Sequence, residues 1–292
     1  MVASFTVIDV ETANADLASI CQIGVAHFAE GVLSDSWGSL INPEMAFSRH
    51  HVAIHGIDEA SVAGAPVFRR MAGELIRRLS GTIVVSHTLF DRTSLQRASA
   101  LHGVALPESP WLDSTRVVRQ VWPEFRERGY GLRNVANTLG IEFGHHDALQ
   151  DAQVAGEVLV RACGLSGCDV ADWLKREVRS SERRYGIARE PRDRIARNGN
   201  EEGPLYGETI VFTGALTMKR EQAAAMAAQA GCNVADRVTT ATTLLVVGDQ
   251  DLRQTKGELK SAKHRRAEEL IENGQSLRIL QESDFVAMVA VA

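Results

Sequence analysis

Across residues 1–165 the apolar positions switch repeatedly between a period of two and a period near 3.6. FTVIDVE (5–11) and CQIGVAHFA (21–29) read as strands, and GTIVVSH (81–87) as a short buried strand bounded by polar and small residues. PVFRRMAGELIRRL (66–79), DRTSLQRASALHG (91–103) and DALQDAQVAGEVLVRAC (147–163) read as helices. In the last of these, Ala152, Ala155, Val158, Leu159 and Ala162 recur at helical spacing. Strands alternating with helices predict an α/β layer structure around a mixed sheet. The pattern then fades over 169–203 and restarts on a smaller scale. GETIVFTG (207–214), TTLLVVGD (242–249) and SLRIL (276–280) predict strands. KREQAAAMAAQAG (219–231), KGELKSAKHRRAEELIENG (256–274) and ESDFVAMV (282–289) predict helices, the first two stopped by Gly231 and Gly274. The expected organisation is a first domain over 1–168, a linker over 169–203 and a second domain over 204–292.

Composition narrows this picture. At 292 residues the chain has room for two domains, each able to bury its own core. Hydrophobic residues at 45% and charged residues at 24% describe a folded globular chain rather than a disordered one. No apolar run approaches the roughly 20 residues of a membrane span, and MVASFTVIDVET lacks the pattern of a signal peptide. Cys21, Cys163, Cys168 and Cys232 form no CxxC pair or zinc spacing, which predicts free thiols and a reducing cytoplasmic setting. A formal charge of −5 argues against coating nucleic acid by bulk charge, so any such contact must be local. Lys175 to Arg197 supplies one local excess, nine Lys/Arg against four Asp/Glu. It reads as a charged connector or as a segment touching a phosphate backbone.

Candidate chemistry begins on the first strand. Asp9 and Glu11 flank Val10 and share one face. Two carboxylates side by side on an apolar strand repel and resist desolvation unless a cation such as Mg²⁺ neutralises them; on an exposed strand they are an ordinary surface pair. Asp91 follows the third strand at a helix start, as a simple cap or as a further ligand. Asp151 shares a helical stripe with Ala155, Val158 and Ala162, and an aspartate on a core-facing stripe needs compensation. A metal shared with Asp9, Glu11 and Asp91 supplies it. Asp147 with Gln150 resembles an N-cap with its capping-box partner, which places His146 on the approach loop, a surface group or a general base.

These motifs together resemble the DEDD family of 3′→5′ exonucleases, the group that includes the proofreading epsilon subunit of DNA polymerase III, oligoribonuclease and RNase T. DxE corresponds to Asp9 and Glu11 in VIDVETAN, the second aspartate to Asp91 in SHTLFD, and HxxxxD to His146 and Asp151, which marks the histidine (DEDDh) subgroup. IHGID (54–58) resembles a segment lying near the terminal nucleotide. Where Asn is common two residues before Phe-Asp, this chain has Thr88. The resemblance implies a ribonuclease H-like fold and two Mg²⁺ or Mn²⁺ ions held by Asp9, Glu11, Asp91 and Asp151. It implies His146 as the general base, Thr12, His55 and Phe90 as contacts to the substrate end, and release of nucleoside 5′-monophosphates from a nucleic-acid 3′ end, DNA favoured.

Residues 204–292 resemble a BRCT domain, most closely the type that ends NAD-dependent DNA ligases, on TIVFTGAL, the Gly231 turn, TTLLVVGD, AKHRRAEEL and ESDFVAMV. Thr213, Gly214 and Lys263 occupy the positions that phosphopeptide-binding members use for phosphate, and Phe285 stands where many members have Trp. Thr-Gly is also a common strand-ending turn, and Lys263 sits in a basic stretch. An anchor to a DNA end or a protein partner is therefore favoured over a phosphopeptide reader. Two alternatives stay open: an RNase trimming RNA 3′ ends or short oligoribonucleotides, and a non-catalytic nucleic-acid- or protein-binding scaffold with a vestigial acidic cluster.

Overall fold

The computed structural model describes residues 3–127, 129–141, 144, 146–176, 196–201, 203–248 and 260–291. The chain divides into two compact units, one of Met1–Ala13, Ala18–Ala46 and Ile57–Arg189 and one of Asn14–Leu17, Phe47–Gly56 and Glu190–Ala292.

In the first unit, β1 (Phe5–Thr12) is the centre of a five-stranded sheet. It pairs antiparallel with β2 (Ile20–Ala29), which pairs antiparallel with the edge strand β3 (Val32–Leu40). On its other side β1 pairs parallel with β4 (Ile83–Ser86), which pairs parallel with β5 (Trp111–Asp113). The sheet is thus mixed, as the alternating pattern predicts. β3 is not apparent from periodicity because it is an edge strand with mostly exposed side chains, Val32 at 67% among them. It is set instead by a two-residue turn, Glu30-Gly31, whose positive φ angles of 53° and 81° match the twist of a tight hairpin.

The helices of the segment pieces before residue 170 are α1 (Arg49–His55), α2 (Phe68–Leu79), α3 (Leu89–His102), α4 (Ser114–Val121), α5 (Leu132–Thr138) and α6 (Ala148–Ser166). The stripe expected on α6 is buried throughout: Asp151 4%, Ala155 1%, Val158 0% and Ala162 0% exposed. It joins a core with Phe5, Val7, Phe28 and Val85 of the sheet, where Phe5 and Phe28 stack at 5.0 Å. α3 begins two residues earlier than periodicity predicts. Thr88 caps it by accepting the Phe90 N–H at 3.1 Å, so Asp91 lies inside the first turn and is not the cap.

The second unit carries a parallel four-stranded sheet in the order β7-β6-β8-β9, from β6 (Thr209–Thr213), β7 (Asn233–Ala235), β8 (Leu244–Val247) and β9 (Arg278–Gln281). Its helices are α7 (Arg220–Gln229), α8 (Ala262–Glu272) and α9 (Glu282–Val291). The three-residue β7 is too short to show a period. α8 starts at Ala262, after the Ser261 cap whose hydroxyl accepts from the His264 N–H; of the longer helix expected, 256–259 lie outside the described residues. Phe285 is fully buried and meets Phe212 edge to face at 5.2 Å. Of the expected linker, 177–195 lie outside the described residues, and with them most of the basic stretch. Its end differs from expectation: Arg197 exchanges backbone hydrogen bonds with Val234, and Asn200 donates to the Ala228 carbonyl. These backbone groups are satisfied within the second unit, which the polar composition of the stretch concealed.

Candidate active site

Three elements of the first unit bring the acids together. β1 presents Asp9 and Glu11 on one face, each partly exposed, with Val10 buried between them. α3 delivers Asp91, 2% exposed, whose Oδ1 accepts the Val10 N–H at 3.2 Å. That hydrogen bond fixes its carboxylate beside the strand between Asp9 and Glu11. α6 delivers Asp151. Both buried aspartates occupy the first turn of a helix, where the aligned peptide dipoles favour negative charge.

His146 completes the arrangement from just outside α6. Its backbone lies in the left-handed region at φ 69°, a conformation that costs a non-glycine residue about 1–2 kcal/mol. The turn brings its Nδ1 to 3.8 Å from Glu11 Oε1, with the side chains only 22% and 14% exposed. Ligand atoms of Glu11, His146 and Asp151 all lie within 4.8 Å of one another. Three of the five expected site residues are therefore gathered into one trio; Asp91 is tied to the same strand, and Asp9 lies two residues along it. The donor set, carboxylate oxygens with one imidazole, fits a hard divalent cation such as Mg²⁺ or Mn²⁺.

The start of α6 is fixed by residues that the hydrophobic pattern does not single out. Asp147 caps the helix as expected, its Oδ1 accepting the Leu149 and Gln150 N–H groups at 3.1 and 3.0 Å. Gln150 is not the reciprocal partner; its side chain accepts from the Gly144 N–H at 3.1 Å. The second oxygen of Asp147 goes to Gln22 of β2, Nε2 to Oδ2 at 3.1 Å, and the Ala148 N–H donates to Gln22 Oε1 at 3.1 Å. Gly24, paired with Asp9 in the sheet, lets the helix backbone lie flush on β2: a Cβ there would stand 2.1 Å from the Ala148 carbonyl oxygen. The available signal was a glutamine and a glycine interrupting the apolar run C-Q-I-G.

Thr12 is 3% exposed at the end of β1, beside a register shift, and Phe90 is 7% exposed in the first turn of α3. His55 is the last residue of α1, followed by the left-handed Gly56, in a segment that groups with the second unit. None of these three is part of the trio. Two buried thiols of this unit are held protonated. Burial, reinforced by the charge of Glu11, pushes the Cys21 thiol far above its ordinary range, and burial pushes Cys163 up to about 12. His87 is a core pin: its Nε2 donates to the Tyr130 carbonyl and its Nδ1 accepts from Ser114, each at 2.9 Å.

In the second unit the three candidate phosphate contacts do come together at the end of β6, already engaged. Thr213 Oγ1 lies 2.6 Å from Ser261 Oγ, and Lys263 donates to the Phe212 carbonyl at 3.1 Å. Arg220 donates to the carbonyls of Phe212 and of Gly214, which has φ 76°. Burial, helped by the nearby Arg220 charge, holds Lys263 below its usual range.

Two family models match the chain. The RNase T-type family model described as "Exonuclease" matches residues 6–159, and the BRCA1 C Terminus (BRCT) domain model matches residues 200–270. The PolC-type DNA polymerase III of Thermotoga petrophila is 28% identical over 167 residues, 54% of this chain and 12% of that protein. The 3′-5′ exonuclease DinG of Staphylococcus epidermidis is 22% identical over 165 residues, 55% of this chain and 18% of that protein. The match therefore spans a small part of these relatives' length. Among solved structures, exonuclease I shares the fold with a TM-score of 0.50 at 14% identity, covering 64% of this chain and 46% of that one.

Proposed function

Because the chain belongs to the exonuclease family, with a BRCT domain following, we propose that it is a metal-dependent 3′→5′ exonuclease that releases nucleoside 5′-monophosphates from DNA 3′ ends in replication or repair. The observation that carries this reading is the convergence of Glu11, His146 and Asp151, with Asp91 bonded to the strand between Asp9 and Glu11. DNA is favoured because the relatives are named as a DNA polymerase III and a 3′-5′ exonuclease.

Asp9, Glu11, Asp91 and Asp151 would hold two divalent cations, Mg²⁺ or Mn²⁺. When bound, these supply positive charge against the scissile phosphate and lower the pKa of water. His146 accepts the proton of the attacking water at an imidazole nitrogen, and its place outside the helix, partly open to solvent, lets it pass that proton on. Burial of Asp91 and Asp151 keeps competing water from the acids. Thr12 supports the terminal nucleotide through its backbone, with His55 and Phe90 as further contacts. The histidine supports reading the domain as DEDDh, near the epsilon type, and Phe285 supports reading the second domain as a BRCT domain of the ligase type.

The BRCT domain serves as an anchor to a DNA end or a protein partner. The mutual engagement of Thr213, Ser261, Lys263 and the Phe212 carbonyl speaks against phosphopeptide reading, because phosphate would have to break those bonds first. A reducing cytoplasmic setting belongs to this proposal, supported by four free cysteines. Among the described residues, no helix is long and apolar enough to cross a membrane.

The test is incubation of the full chain with 3′- and 5′-labelled single-stranded DNA, duplex DNA and RNA, with Mg²⁺, Mn²⁺ or chelator. The expected result is mononucleotide release from the 3′ label, a progressive ladder from the 5′ label, and arrest by chelator. Faster trimming of RNA reassigns the substrate, and no cleavage with either metal sinks the enzymatic reading.

A further inference from the structure

Resting on that reading, we propose that Gln22 is a positioning residue that fixes the start of α6 over β1 and so delivers His146 and Asp151 to Glu11. Gln22 is the direct cross-strand partner of Glu11. Its carboxamide is used at both ends: Nε2 donates to Asp147 Oδ2, and Oε1 accepts from the Ala148 N–H, each at 3.1 Å. Only one orientation of the amide satisfies both, since a carboxylate can only accept and a backbone N–H can only donate.

Both partners are decisive ones. The Ala148 N–H belongs to the first turn of α6, where backbone donors have no intrahelical acceptor. Asp147 divides its two oxygens between capping the helix and binding Gln22, so the cap and the sheet are joined through one side chain. Immediately before Asp147 stands His146 in its left-handed conformation, and one turn into the helix stands Asp151. Gly24 shares the strand face of Gln22 and gives the helix backbone room to descend. Gly24 permits the close approach; Gln22 selects one rotation of the helix within it. A glutamate at this position would keep the acceptor but oppose the Asp147 carboxylate with a like charge.

The test uses the full chain. Gln22→Ala is expected to speed hydrogen exchange at the Ala148 amide and to lower kcat roughly 10–100-fold, the usual cost of losing a partner that orients a site residue. KM should stay nearly constant, since the substrate contacts are untouched. Gln22→Glu alone should be impaired at least as much. Combining Gln22→Glu with Asp147→Asn exchanges donor and acceptor across the same gap at unchanged net charge, and should restore both amide protection and most of kcat. Three results would overturn the inference: parent kcat and parent protection in Gln22→Ala, no recovery in the exchanged pair, or a loss of kcat that only tracks a loss of folded protein by circular dichroism. A parent chain inert on every labelled 3′ end removes the exonuclease reading itself; an active parent with a fully active Gln22→Ala removes only the role of Gln22.

Discussion

Both domains place their polar chemistry at the carboxyl end of a strand inside their sheet, yet the two ends are built on opposite principles. At the end of β1, like charges are gathered: two buried aspartates from two helix starts, a strand glutamate and a histidine held in a left-handed turn. At the end of β6, a hydroxyl pair and two cations are turned inward onto one another and onto backbone carbonyls. The first arrangement concentrates negative charge where carboxylates cost most to desolvate, which makes sense as a place for an external cation. The second spends its donors on its own carbonyls and stabilises the domain. Proximity of chemically suggestive residues is common to both. What separates them is the kind of group gathered: mostly carboxylates at β1, and hydroxyls and cations set against backbone carbonyls at β6.

That contrast can be broken most directly at the acids. Asp151→Asn or Asp9→Asn is expected to abolish 3′-end cleavage while the circular dichroism spectrum stays that of the parent. A variant retaining the parental rate in Mg²⁺ would remove the metal assignment. His146→Ala should lower turnover about 10²–10⁴-fold, the range for loss of a general base. An unchanged rate across the pH range would leave the histidine without that role.

Gly24→Ala should reduce stability by about 1–3 kcal/mol, because the new Cβ has to push the start of α6 off β2. Thermal melts read the stability, and a parallel fall in turnover is expected as the helix start shifts.

The smallest effect belongs to the second domain. Burial pushes Glu282 up, but the Met218 and Thr217 N–H groups, at 2.9 and 2.6 Å, outweigh it and hold the carboxyl below its ordinary 4.5. A folded pKa below the unfolded one means its stabilisation is fully present above about pH 4.5 and lost as pH falls through the depressed value. Glu282→Gln should therefore cost about 1 kcal/mol at neutral pH and flatten the acid limb of a melting-temperature profile. An unchanged acid limb would show that these hydrogen bonds contribute nothing to the domain.

Much of the site was legible because strand and helix periods assign faces without any knowledge of the fold. Period two puts Asp9 and Glu11 together, and period 3.6 puts Asp151 on the apolar stripe of α6, where it is found at 4% exposure. The position of His146 ahead of the helix followed from the capping chemistry of Asp147. Less legible was the neighbourhood of each cap. Gln150 turns to Gly144, and Thr88 takes the capping role at α3, since such hydrogen bonds depend on loop paths. The hairpin strand β3 and the three-residue strands β5 and β7 escaped because one is solvent-facing and the others are too short for any period.

Sequence alone determined the alternation of elements and the faces on which Asp9, Glu11 and Asp151 fall, because these depend on local periodicity and residue chemistry. Tertiary structure alone decided that Gln22 and Gly24 seat α6, that Asp91 bonds to Val10 across 81 residues of chain, and that Lys263 and Thr213 are engaged within their own corner. Those facts join residues far apart along the chain, and distance along the chain carries no information about which side chain meets which until the sheet order and the helix packing are set.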